Sequence, residues 1–256
     1  MRGSLVFAFL LGVASALGQA APASLPPGSI RTSIQGIEIP AIPNAAFSAK
    51  EVVTWTQPLI GGGTMTRTYY TRVARDSQGR VHRETRYFAP AGTSQEAPLR
   101  SITVTDPVAG TRTVCRTSAM DCSVASWRPA LPAAPSADGV VPVGGGKVTR
   151  QSLGSQTIDS LTAVGTRESV STATGSHADR RLVLSHWDIW YSRDLQVDLS
   201  VVHTNPQLGT VTITLTNLLR GTPDRSWFAA PSGFAVTSLS TAGRPGVGNQ
   251  LRGAVN

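Results

Sequence analysis

The chain has 256 residues, 40% of them hydrophobic, with 23 Lys plus Arg against 15 Asp plus Glu and a net charge of +8. Only Lys50 and Lys147 among the basic residues are Lys, and no dense basic run occurs, so an exported chain of this kind is a poor match to nucleic acid. The Arg excess has two readings: the base composition of the genome, or a partner that wants planar, forked donors such as phosphate or carboxylate headgroups.

Residues 1–20, "MRGSLVFAFLLGVASALGQA", place one Arg before an apolar run and end in small residues. That layout predicts a secretory signal peptide, cleaved after Ala20 or Gly18. No Cys sits there to take a lipid anchor, and no second apolar stretch approaches twenty residues, so the mature chain should carry no transmembrane segment. The expected location is outside the cytoplasm, periplasmic or secreted. Residues 21–46, rich in Pro, Ala and Ser, read as a flexible or extended leader. A single β-rich domain is expected over 47–237, with a long Pro/Gly/Ala-rich loop at 129–146 and a flexible tail at 238–256.

Within 47–237 turn signals recur every ten to fifteen residues. "TMTRTYYTRVARDSQGRVHRETRYF" reads as a hairpin turning at Asp76–Gly79, and "LRSITVTDPVAGTRTV" as another turning at Asp106–Gly110. In "VTRQSLGSQTIDSLTAVGTRESVSTAT", Gly154-Ser155 and Asp159-Ser160 are breaks. The alternation is most regular in "LQVDLSVVH", with Leu195, Val197, Leu199 and Val201 on one face, and in "TVTITLTN", with Val211, Ile213 and Leu215 opposed by a row of Thr. Such patterning means a sheet with one buried and one wet face. In "TPDRSWF", Thr222 is the expected cap of a short helical turn and Pro223 its first residue.

"TVCRTSAMDCSV" reads as two short strands and a turn, which sets Cys115 opposite Cys122. Opposed Cα atoms lie about 4.5–5.5 Å apart, within disulfide range, so a structural bridge is expected. Two Cys at this spacing with no nearby His match no zinc pattern.

The densest group of reactive residue types is "SHWDIWYSRDLQVDLSVV", Ser185 to Val202. His186 and Asp188 share a strand face and could orient a general base. No nucleophile motif accompanies them, and the four His do not cluster at metal spacing. Neither an enzyme, nor a metal site, nor a cofactor is expected. Trp187, Ile189 and Tyr191 should feed the core, with a tight turn at Ser192–Asp194. Trp190, on the face of His186 and Asp188, is a candidate cleft or interface residue. Arg67, Arg72, Arg75, Arg80, Arg83 and Arg86 gather on one hairpin. They read as a solvated hairpin that discourages edge pairing, or as a contact for headgroups or an acidic partner. The candidate ligand or interface residues are therefore Trp190, His186, Asp188, Arg67, Arg83 and Tyr70.

The order of features in the last third is a Tyr-Ser-x-Asp-Leu turn (Tyr191, Ser192, Asp194, Leu195), Pro206 and Gly209, Asn217, Pro223 and Asp224 with Phe228, then Pro231, Gly233 and Phe234. This order resembles the C-terminal end of the bacterial lipoprotein-carrier (LolA/LolB-like) superfamily and its uncharacterised secreted members. "FSAKEVVTWTQ" is similar to the strand that opens that fold. The resemblance spans roughly 47–237 and implies a mostly β fold: a curved, half-open antiparallel sheet whose concave face holds an apolar ligand such as an acyl chain. No counterpart of the family's N-terminal helix or lid stands out, and charge lies on both faces of the first hairpin. Two functions follow as expectations: a non-catalytic binding protein for a lipid or other apolar ligand, and an envelope module that binds another protein.

Overall fold

The computed structural model describes residues 36–87, 96–129, 139–143, 146–174, 181–206 and 208–239. The expected signal peptide and residues 21–35 lie outside them, as does 240–256 of the expected tail.

Among the described residues thirteen strands form one sheet: β1 Phe47–Pro58, β2 Thr64–Arg75, β3 Val81–Arg86, β4 Leu99–Asp106, β5 Thr111–Arg116, β6 Asp121–Ser126, β7 Gly139–Val143, β8 Gly146–Ile158, β9 Leu161–Thr174, β10 Arg181–Ser192, β11 Val197–Asn205, β12 Gly209–Arg220 and β13 Ala235–Ser238. Their order is β13-β6-β5-β4-β3-β2-β1-β12-β11-β10-β9-β8-β7. The first half runs outward from β1 as hairpins. The chain then crosses to the opposite edge and returns inward from β7, so that β12 pairs antiparallel with β1. Only β13 is parallel to its neighbour, β6. The expected loop at 129–146 is corrected in part: β7 lies inside it and forms that edge.

One face of the central strands is buried. Phe47, Ala49 and Val53 of β1, Tyr69 and Val73 of β2, Val197, Leu199 and Val201 of β11, and Val211, Ile213 and Leu215 of β12 belong to one core. The other face carries hydroxyls that meet across strands, Thr54 with Thr68 at 3.3 Å and Thr56 with Thr66 at 3.2 Å. A single layer buries one face only by curling over something. What it curls over here is the chain's own residues 36–46. Ile37 and Ile39 are 1% and 8% exposed inside the core. Burying two such side chains is worth roughly 1.5–3 kcal/mol each. The expected flexible leader is therefore corrected for these residues: Ile37, Ile39 and Ala45 are buried, and the segment is tied down along its length.

The ties are polar. The Ile37 N–H donates to Glu51 Oε1 at 2.6 Å, and Arg83 Nη1 donates to Glu51 Oε2 at 2.6 Å. Gly36 sits at φ +132°, and a Cβ there would lie 2.6 Å from both Glu51 Oε2 and Arg83 Nη1. Glycine alone gives the backbone this conformation and lets it pass so close to an ion pair.

Turns follow the sequence chemistry. Asp76 Oδ1 accepts from the N–H groups of Gln78 and Arg80, and Asp106 Oδ1 from those of Val108 and Ala109. The helical turn is a 3-10 segment, Arg225–Phe228. Its cap is Asp224, which accepts from Ser226 N–H, rather than Thr222. Phe228 and Trp227 pack with Ala74, Val104 and Ile102 in a second, smaller cluster.

Cys115 and Cys122 are paired on β5 and β6 and joined by a disulfide, both nearly fully buried. The short loop predicts a loss of about 2–2.5 kcal/mol on the chain-entropy estimate when both become Ser. Urea unfolding of the double variant checks this. An unchanged midpoint would mean that the bridge constrains a loop already ordered in the unfolded chain.

Candidate functional site

The residues of the opening stretch divide by strand parity only as far as Ile189. Trp187 and Ile189 pack against the core, and Trp187 stacks on His203 with ring centroids 4.1 Å apart and planes 6° apart. Tyr191 does not follow them. A register irregularity between Trp190 and Tyr191 changes the pairing to Asp198, and Tyr191 is left 39% exposed. The turn falls at 193–196, with Ser192 Oγ accepting from the Leu195 N–H. Trp190 packs against the core, its ring over Gly165, its cross-strand partner. A Cβ on Gly165 would come within 2.6 Å of that ring.

Asp188 is held by Arg167 through two 2.6 Å hydrogen bonds. It is engaged by a guanidinium from β9 and does not orient His186. Among the described residues no group of three His, Cys, Asp or Glu could hold a metal.

The first hairpin is not simply a solvated one. Arg75 is 0% exposed, with Nε donating to the Ala45 carbonyl at 2.9 Å, Nη1 to Pro40 at 2.9 Å and Nη2 to Leu195. Burial pushes its guanidinium down to about 10. Arg83 bonds Glu51 and the Ile37 carbonyl. Arg80 pairs with Asp76 at 2.6 Å and Arg86 with Glu84 at 2.8 Å. Arg67 is exposed. Most of this Arg cluster therefore serves internal pairing, and alternation could not reveal it because the partners of Arg75 and Arg83 lie 30–46 residues or more away.

Tyr70 lies on the hydroxyl-bearing face, in a groove of about 290 Å³ whose lining includes Lys50, Arg72, Arg86, Glu96 and Trp227. The Lys50 ammonium stands 3.9 Å over the Tyr70 ring. Its two Arg are matched by carboxylates: Arg86 by Glu84 and Glu96, Arg72 by the same two at 3.9 and 3.7 Å. The six candidate residues are thus dispersed. Tyr70, His186 and Asp188 lie on one face, Arg83 is under the leader, Arg67 is at the far end of the buried face, and Trp190 packs on the core.

The buried face instead presents a feature that only register reveals. Arg150 stands opposite Glu168, Glu168 opposite Trp187, and Trp187 opposite His203. His203 faces Val211, Val211 faces Trp55, and Trp55 faces Arg67. One residue from each of seven adjacent strands makes a single transverse row, since opposed residues share a face. Trp55, Trp187, Ile189 and His203 are half-buried. Here the apolar floor continues past the leader without full cover. Arg150 Nε donates to Glu168 Oε2 at 2.8 Å, both side chains 4% exposed. Burial raises the Glu168 carboxyl, against the pull of Arg150.

Burial likewise lowers the His203 imidazole below 6.5, as it does His82. A His depressed in the native state contributes stability above its unfolded pKa of about 6.5, and that is lost as pH falls through the native value. His203→Phe keeps a ring against Trp187. It should be more stable than wild type at pH 5 and flatten part of the acid slope, His82 supplying the rest. Urea midpoints at pH 5 and 7.5 test this; an unchanged slope would remove His203 from the acid response.

No protein-family model matches the chain, and no curated protein does. In structure it is similar to MucB (12% identity, 75% of this chain covered, TM-score 0.38), spanning 59% of that protein's length. It is similar also to LprF from Mycobacterium bovis (14% identity, 74% of this chain and 90% of that one, TM-score 0.32). A LolA superfamily protein from Nitrosomonas europaea matches at 8% identity over 75% of this chain and 92% of that one, with a TM-score of 0.30. The class is defined by the chain's own topology: an open, curved antiparallel sheet with one face buried.

Proposed function

We propose that this is an exported, non-catalytic binding protein that holds an apolar or amphipathic ligand on the covered face of its sheet. The observation that carries the reading is the half-buried strip of Trp55, Trp187, Ile189 and His203, which extends the core floor beyond residues 36–46. Half-exposed aromatics beside an apolar floor favour a ligand with an apolar body and a polar end. The names of the structural neighbours, among them a lipoprotein-sorting domain from Vibrio parahaemolyticus and the LolA superfamily protein, agree with such a role. Protein purified from its own envelope should carry co-purifying lipid in native mass spectra and bind a fluorescent fatty acid. Absence of both would end the reading.

A second reading rests on the opposite edge. Met120, Val236 and Leu239 are each more than half exposed where β13 lies beside β6, a patch suited to an envelope protein partner. Capture of one partner from envelope extracts, lost on Val236→Asp, would support it.

A further inference from the structure

We infer that the Arg150–Glu168–Trp187–His203 part of the transverse row is a head site for an uncharged, oxygen-bearing amphiphile such as an acyl ester. The inference rests on the binding reading above and adds the chemistry of the ligand. Two buried polar atoms in this row have no hydrogen-bond partner among the described residues, Arg150 Nη1 and His203 Nε2. Buried polar atoms without partners are rare, and each asks for an explanation. Arg150 is an especially costly case, since its side chain is only 4% exposed.

Charge decides which group fits. The Arg150 guanidinium is already neutralised by Glu168 at 2.8 Å. His203, kept from protonation by burial, adds no charge at neutral pH. A carboxylate or phosphate head would lie beside Glu168 with no cation to spare, and an ammonium would lie beside Arg150. An ester carbonyl or hydroxyl oxygen accepts from Nη1 and brings no charge into a buried site. The neutral imidazole can donate or accept at Nε2 according to its tautomer. The apolar body has a surface ready next to this head. Ile189 lies one register step along β10, about 6.6–7 Å from the row, and Trp187 and Ile189 are only half-buried.

The test compares two ligands of equal chain length, lauroyl glycerol and laurate, by isothermal titration calorimetry on the wild type and on Arg150→Leu/Glu168→Leu. Removing both halves of the pair avoids leaving a lone buried charge. Wild type should bind lauroyl glycerol at least ten-fold more tightly than laurate. The double variant should lose about five- to ten-fold for lauroyl glycerol, the worth of a buried hydrogen bond, and little for laurate. Laurate bound as tightly as the ester overturns the inference and leaves the binding reading standing, as when a fixed water satisfies Arg150. No binding of either ligand removes both. The wild-type comparison decides the matter even if the double variant does not fold.

Discussion

Replacing Arg75 with Met should lower the stability of the fold by about 4 kcal/mol. Arg75 is fully buried and donates to three backbone carbonyls from three places in the chain: Pro40 and Ala45 of the N-terminal segment and Leu195 of the β10–β11 turn. A hydrogen bond to a charged group is worth about 1.5–3 kcal/mol. Part of that sum is offset because the variant no longer buries a charge, which leaves roughly 4 kcal/mol. Phe47 loses a contact too, since the guanidinium lies 5.2 Å from its ring centroid. Arg75→Lys keeps the charge but has no fork to reach carbonyls on opposite sides, and should cost about 2 kcal/mol. Urea unfolding measures both. The Met variant should also be cut by protease ahead of β1 before the sheet unfolds, because two of its three anchors lie at Pro40 and Ala45. A loss under 1 kcal/mol for Arg75→Met would show that the clamp is dispensable.

That clamp marks the limit of what period and composition reveal. The strands were legible wherever one face is apolar and the other polar, as in β11 and β12, where Val197, Leu199 and Val201 face Val211, Ile213 and Leu215 in one core. The turns at Asp76 and Asp106 were legible because side chain and backbone bond within four residues. In the first hairpin, charge on both faces argued against a buried wall. The wall exists, because Glu51 and the backbone of residues 37–45 satisfy Arg75 and Arg83. The signal that could have shown this was the alternation Ile37-Glu38-Ile39 inside a Pro-rich stretch, which its surroundings obscured. Parity misplaced Tyr191 because the register shifts after Trp190, which no spacing in the sequence marks. The Arg150-to-Arg67 row was not legible at all. It depends on the register of six strand pairs at once, and no spacing in the chain encodes it.

Glu51→Ala should cost about 3–5 kcal/mol, the range for removing one member of a buried ion pair. Glu51 is 0% exposed and takes both the Arg83 guanidinium and the Ile37 N–H at 2.6 Å. Its loss strands both donors beneath the N-terminal segment. Arg83→Ala should cost less, about 2–3 kcal/mol, because the Arg83 side chain is 22% exposed and water replaces part of the contact. The double variant should fall short of the summed single losses by about 2 kcal/mol, and it will not regain wild-type stability because the Ile37 N–H still lacks an acceptor. Additive losses would mean that the two side chains stabilise the segment separately. The pH response has a definite sign. Burial raises the Glu51 carboxyl above 4.5, with Arg83 and the Ile37 N–H pulling it back in part. A carboxyl raised in the native state contributes stability that is complete below the unfolded value and is lost as pH climbs through the native one. The advantage of wild type over Glu51→Gln should therefore be greatest below pH 4.5 and shrink toward neutrality. An advantage that grows with pH would mean that Arg83 dominates and that Glu51 is ionised at no cost to the fold.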